Sequence, residues 1–160
     1  MTYLEGTLEL MSPSRLHEEV KRIIGLLAQV WAIEREVDLR GFGSTTFRRE
    51  AKRGGLEPDE CFTLGKLEDG SVPDIAIEVT ITSGLLDKMA VYARLGVPEV
   101  WEWREGAGGL VVHRLVGATY EPRDRSEVLP ALDLAQLAAF VRPGESHTGL
   151  ARQYQAALRA

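Results

Sequence analysis

Residues 72–79 read VPDIAIEV and predict a β-strand whose two faces differ in chemistry. Side chains alternate along a strand, so every second residue shares a face. One face carries Ile75, Ile77 and Val79, and the other carries Asp74, Ala76 and Glu78. Two interpretations stay open at this point. The strand is half-buried with its acidic face in water, or it directs two carboxylates toward a cation.

A second proline–aspartate pair lies just upstream, at Pro58 and Asp59, and begins a predicted strand over residues 58–64. Proline is tolerated at the first position of a strand, where a missing N–H costs little. Taken alone, Asp59 is more typical of a turn than of a metal site. If strands 58–64 and 73–80 are neighbours, about 4.8 Å apart, Asp59 and Glu78 can reach one divalent cation, as phosphodiester hydrolysis requires.

A helix is predicted over residues 85–95, ended by the GVP at 96–98. It carries Lys88 ten residues after Glu78, with Tyr92 one turn along the same side. The usual fate of a lysine is the solvated surface. The functional interpretation places its ammonium group near an attacking water or a scissile phosphate.

The remaining pattern predicts an α/β fold with a mixed central sheet flanked by helices, in one domain over residues 1–160. The first helix is predicted over 13–36, with Ser12 as its N-cap. The other predicted elements are strands at 4–11, 45–49, 99–104, 110–115, 119–121 and 127–129, a turn at 53–55, and helices at 133–141 and 146–158.

The composition narrows the class of protein. The single cysteine, Cys61, excludes an intrachain disulfide, and the N-terminal residues lack the pattern of a signal peptide, so a cytoplasmic protein without membrane segments is expected. A formal net charge of −5 argues against tight non-specific DNA binding. The negative charge is weaker evidence against a nuclease, because a metal site needs clustered carboxylates. The histidines and the cysteine show no zinc spacing.

Several short motifs, in order, resemble the Uma-two (Uma2) family of restriction endonucleases, which belongs to the PD-(D/E)XK nuclease superfamily. They are MSPSRLH at 11–17, PD at 58–59, PDIAIEV at 73–79, TSGLLDK at 82–88, GVPEVW at 96–101 and SEVLPAL at 126–132. The resemblance covers nearly the whole chain. Each motif is weak alone, but their order and spacing together are specific.

The resemblance implies a restriction-endonuclease-like fold in which Asp59 and Glu78 bind Mg²⁺ or Mn²⁺ and Lys88 assists hydrolysis. The superfamily's usual lysine lies two residues after the glutamate, and Thr80 occupies that position here. In this family the lysine is carried by the following helix, which matches Lys88. Further accessory candidates are Glu18 on the first helix, and His17, Asp74 and Tyr92.

Two functions of different classes follow. The first is a divalent-metal-dependent endonuclease that hydrolyses phosphodiester bonds of DNA. The second is a catalytically inactive nuclease-fold protein that acts as a nucleic-acid-binding or oligomeric partner, a homodimer included. The acid–acid–lysine set favours the first, and the negative net charge favours the second.

Overall fold

The computed structural model describes residues 2–4, 7–9, 14–49, 54–66, 68, 71–80, 85–104, 106 and 109–160. At 2–4, 7–9, 47–49, 54–56 and 85–87 it describes the backbone alone. The strands are β1 (Thr2–Leu4), β2 (Thr7–Glu9), β3 (Leu39–Gly41), β4 (Phe47–Arg49), β5 (Gly54–Leu56), β6 (Glu60–Leu64), β7 (Ile75–Thr80), β8 (Glu99–Arg104), β9 (Gly109–Val116) and β10 (Thr119–Arg123). The helices are α1 (Arg15–Glu34), α2 (Leu85–Leu95), α3 (Leu134–Ala139) and α4 (His147–Arg159).

The larger sheet of the described residues is mixed and has the strand order β10-β9-β8-β7-β6-β3. Strands β7 and β8 are parallel, and all the other neighbours in this sheet are antiparallel. Parallel neighbours need a crossover connection, which helix α2 supplies between β7 and β8. A smaller sheet has the order β2-β1-β5-β4. The predicted mixed sheet flanked by helices is therefore confirmed.

Strand β7 is buried on both faces, because helices cover both sides of the sheet. One face packs into a core with α1, and the opposite face packs against α2. The α1 face of this core includes Val20, Ile23, Leu27, Ile75 and Ile77, and the α2 face includes Cys61, Ala76, Val91, Tyr92, Leu95 and Val100. The predicted alternation is correct. The interpretation of an acidic face in water is wrong for Glu78, whose side chain is 1% exposed.

Several local predictions are confirmed where pattern and end signals agree. Helix α2 has the predicted bounds, and the hairpin β8–β9 forms as expected. Helix α3 begins after Asp133, whose side chain accepts from the Gln136 N–H. No helix in the described ranges is long and apolar enough to cross a bilayer.

Other local predictions are wrong, because the backbone has hydrogen-bond partners that the pattern did not indicate. Ser14 caps α1, since its side chain accepts from the His17 N–H; Ser12 and Pro13 lie outside the described residues. Gly54 and Gly55 pair with β1 and β4 instead of forming a turn. Of the strand expected over 4–11, residues 7–9 form β2, which pairs antiparallel with β1, and residues 5, 6, 10 and 11 lie outside the described residues.

Two further differences concern the edges of the larger sheet. Residues 127–129 form no strand, because their backbone is held as a loop by the side chains of Glu99 and Ser126. Strand β3, which pairs with β6, was not predicted, since three residues carry too short a pattern to be recognised.

Candidate active site

Glu78 lies near the end of β7, and its carboxyl group is held on both oxygens by helix α2. Lys88 Nζ donates to Oε2 over 2.6 Å, and the Tyr92 hydroxyl donates to Oε1. Positions four residues apart in a helix share a face, which lets Lys88 and Tyr92 contact the same group. Helix α2 therefore holds this carboxyl group through two of its side chains.

The electrostatics of Glu78 follow from its burial. Loss of solvation, and after it the nearby charge of Asp59, raise its pKa from the ordinary 4.5 to about 7. The ammonium of Lys88 and the hydrogen bonds from Lys88 and Tyr92 act in the opposite direction. The pKa of this carboxyl group therefore lies close to neutral pH.

Asp59 lies just before β6, the strand that neighbours β7. Glu60 pairs with Ile77, and continuing that antiparallel register sets Asp59 opposite Glu78. Asp59 Oδ2 accepts from the backbone N–H of Val79 over 2.8 Å. The two carboxyl groups thus belong to one site, as their charge interaction also indicates.

His17, in the first turn of α1, is the other partner of Asp59. Its Nε2 donates to Asp59 Oδ2 over 3.0 Å. Burial tends to raise the pKa of Asp59, but the hydrogen bonds from His17 and Val79, with the charges of His17 and Lys88, hold that pKa below its ordinary value. The same hydrogen bond to Asp59 is the main cause of a raised pKa at His17.

Of the two other accessory candidates, Asp74 does not join this cluster, and Glu18 reaches it through His17. Asp74 lies four residues before Glu78, about 13 Å along the strand, and its Oδ2 accepts from the Leu64 N–H over 2.8 Å. Glu18 forms an ion pair with Lys21 at 2.8 Å, and its Oε1 lies 3.4 Å from His17 Nδ1, a contact that helps to raise the pKa of His17. The structure brings together Asp59, Glu78, Lys88, Tyr92 and His17.

A cavity of about 650 Å³ opens beside Asp59, between α1, the segment around Gly43 and the start of α4. Its basic lining residues are Arg15, Lys21, Arg22 and His147, and its acidic ones are Glu18, Glu19, Asp59 and Glu60. Sequence reasoning did not select the basic residues, because their approach to Asp59 depends on how α1 and α4 pack.

A second buried acid, also missed, lies beside Glu78. Glu102 of β8 is paired in register with Glu78, is 1% exposed, and accepts from Arg104 and His113. Its position could be found only once β7 and β8 were known to be parallel neighbours.

The chemistry of the donor set suits a hard divalent cation. Magnesium takes one or two protein carboxylates and completes its coordination with water and phosphate oxygens, so Asp59 and Glu78 could hold it. Within the described ranges, no group of three or more His, Cys, Asp or Glu side chains is arranged around a metal position.

Comparison with known proteins agrees with this architecture. The chain is similar to the crystal structure of a "putative nuclease belonging to DUF820" from Anabaena variabilis, with a TM-score of 0.58 and 16% identity over 96% of this chain and 90% of that chain. At that identity the likeness shows the fold. No curated protein matches the chain. The model of the Uma2 family, described as "Putative restriction endonuclease", matches residues 1–143, and the chain belongs to that family.

Proposed function

We propose that the protein is a Mg²⁺- or Mn²⁺-dependent endonuclease that hydrolyses phosphodiester bonds of DNA, with Asp59, Glu78 and Lys88 at its active site. The observation that carries the proposal is the buried carboxyl group of Glu78, which lies beside Asp59 and 2.6 Å from the ammonium of Lys88. Membership of the Uma2 family supports the nuclease class.

A bound divalent cation would supply positive charge at the phosphate and promote ionisation of a nearby water. Asp59 and Glu78 would hold the cation, and their own orientation is set by the Val79 N–H and by Tyr92. Such supporting hydrogen bonds keep ligands in place and tune their charge.

Lys88 would act on the substrate. Its ammonium group would stabilise negative charge on the phosphate or hold the attacking water, which is electrostatic catalysis by a preplaced cation. The contact with Glu78 fixes the group in the site before any substrate arrives. A cation already oriented costs little reorganisation during the reaction.

The runner-up function is a nuclease-fold protein that binds nucleic acid or a second copy of itself without cleavage. The contact between Lys88 and Glu78 is compatible with this second function. An ammonium at 2.6 Å is also the group that a non-catalytic protein would use to neutralise a buried carboxylate. The two functions differ in whether metal-dependent cleavage occurs.

The test is cleavage of supercoiled plasmid with Mg²⁺ or Mn²⁺, and with EDTA in place of metal. We expect the wild type to produce nicked and linear DNA only when metal is present. We expect the Asp59→Ala variant to lose this cleavage. Asp74→Asn is the matched control, since this acid also lies just before a strand of the same sheet but outside the cluster, and asparagine keeps an acceptor for the Leu64 N–H.

Cleavage by Asp59→Ala at the wild-type rate would show that the assigned site is not the active one. A wild-type protein that binds DNA and never cleaves it, with either metal, would select the runner-up.

A further inference from the structure

We propose that Arg104 contacts a DNA phosphate next to the active site and that the buried Glu102 positions it. This inference rests on the proposed function and adds a substrate-binding residue to it. Glu78 and Glu102 are register partners on the parallel strands β7 and β8, so they share the face of the sheet that α2 covers.

The carboxylate of Glu102 is 1% exposed and is held on both oxygens. Arg104 Nε donates to Oε1 over 2.6 Å, and His113 Nε2 donates to Oε2 over 3.0 Å. A buried carboxylate needs such partners. With both of its oxygens engaged, Glu102 fixes the plane and direction of the guanidinium.

The contact with Glu102 uses one donor of Arg104. A guanidinium carries five N–H donors, so the four on the terminal nitrogens are left for other partners. The side chain of Arg104 is 54% exposed, which opens that end to solvent. A fork of N–H donors on a planar cation matches two phosphate oxygens, a geometry that a lysine cannot offer.

The location fits a substrate that reaches Glu78. Arg104 ends β8 and pairs with Thr80, two residues beyond Glu78 on β7. From the spacing of strands and of residues along them, it lies about 8 Å from Glu78 at the Cα level, toward the same end of the sheet. A protein with a net charge of −5 needs local cations to hold a polyanion, and phosphate contacts set the register of DNA on its surface.

The experiment measures binding of a fluorescent 30-base-pair duplex in EDTA over a range of salt concentrations. We expect Arg104→Ala to raise Kd about tenfold, the usual scale for a charged hydrogen bond. The slope of log Kd against log salt should fall by about 0.9, as for one lost phosphate contact. With Mg²⁺, cleavage by this variant should show a raised KM and a nearly unchanged kcat.

Arg123 offers a matched control. It also pairs with a glutamate two residues earlier, Glu121 at 2.8 Å, but on β10, three strands and about 14 Å from β7. Arg123→Ala should bind DNA as the wild type does. Equal binding by the two arginine variants would overturn the proposal.

Glu102→Gln tests the positioning role. It should weaken binding about threefold in the wild-type background and have no effect in Arg104→Ala, because its action passes through that arginine. A loss of binding that persists in the double variant would overturn this role. The double variant Glu102→Gln/Arg104→Ala also controls for misfolding. It removes the buried charge of Glu102, which Arg104→Ala alone would leave less well paired.

The proposal can fail separately from the proposed function. If the wild type cleaves DNA with metal and Arg104→Ala binds and cleaves equally well, only the phosphate contact is wrong. If the wild type neither binds nor cleaves, both are wrong.

Discussion

Lys88 on α2 and Glu78 on β7 form an ion pair of 2.6 Å in which the carboxylate is buried and the lysine is 15% exposed. The pair joins a helix to the strand that precedes it, and the Tyr92 hydroxyl completes the contact on the second oxygen. A lysine can bury its stem and still keep its charged end near water. The group that neutralises Glu78 is therefore also within reach of a substrate.

Lys88→Ala should abolish cleavage and also destabilise the fold. Removing one partner of a buried ion pair costs about 3–5 kcal/mol, and the loss should be largest above pH 7, where Glu78 is ionised. Urea unfolding and plasmid cleavage measure the two effects. Lys88→Arg should restore stability better than cleavage, because the guanidinium is planar and larger. Wild-type cleavage by Lys88→Ala would remove Lys88 from the active site.

Stability should fall as pH rises through the titration of Glu78. Its pKa is raised from an ordinary 4.5 to about 7, so the folded state binds this proton more tightly than the unfolded state does. The stabilisation is complete below pH 4.5, is lost as pH rises to about 7, and amounts to about 3 kcal/mol. Urea unfolding of wild type and Glu78→Gln across this range measures it. A constant difference between the two proteins would contradict the assignment.

Magnesium or manganese should raise the melting temperature of the wild type. A ligand at a hundredfold excess over its Kd stabilises the folded state by about 2.7 kcal/mol. The effect should be larger at pH 8 than at pH 6, because Glu78 must lose its proton to bind metal. Thermal melts at matched ionic strength test this. Glu78→Gln should lose the response, and an identical shift in that variant would mean that the metal binds elsewhere.

The imidazole of His17 should titrate above its ordinary pKa of 6.5, chiefly because it donates to Asp59. Its contribution to stability is therefore complete below pH 6.5 and is lost as pH rises through the raised value. NMR titration of the ring signals measures the pKa directly. Asp59→Asn should return it toward 6.5. An unchanged value in that variant would show that Asp59 is not the cause.

Glu99, inside the GVPEVW motif, should prove structural. It is fully buried and accepts from four donors: Trp101 Nε1, the Ser126 hydroxyl and the N–H groups of Glu127 and Val128. Glu99→Ala leaves these donors without an acceptor, and each such group costs about 1–3 kcal/mol. Urea unfolding should show a large loss, while the folded fraction cleaves normally. The exposed Glu121→Ala should change stability by less than about 0.5 kcal/mol.

The elements predicted best are those whose pattern is local. The alternation in residues 75–79 and the helical period over 85–95 depend only on neighbours in the chain, so the sequence alone predicted both. Whether the acidic face of β7 meets water depends on α2 covering it, and no local pattern reports that. The same limit explains why Glu102 was missed.

The candidate site shows the same division. Asp59, Glu78, Lys88 and Tyr92 were selected from short motifs and lie together in the structure. The contact between His17 and Asp59 spans 42 residues, and nothing in the spacing specifies it. Asp74 shares the motif but serves the backbone of β6. The catalytic roles, the metal, the DNA substrate and the single-domain extent stay predictions.

Because α2 holds both oxygens of Glu78, the orientation of this carboxyl group depends on the position of the whole helix on the sheet. Val91 and Leu95 fix the position of the helix through the core that they share with Val100. A smaller side chain at Val91 would leave a cavity and let α2 shift by a fraction of an ångström. Lys88 and Tyr92 would move with the helix. Catalysis would then be sensitive to residues that never contact the substrate, and a search for more active or less active variants should include the buried core positions of this helix.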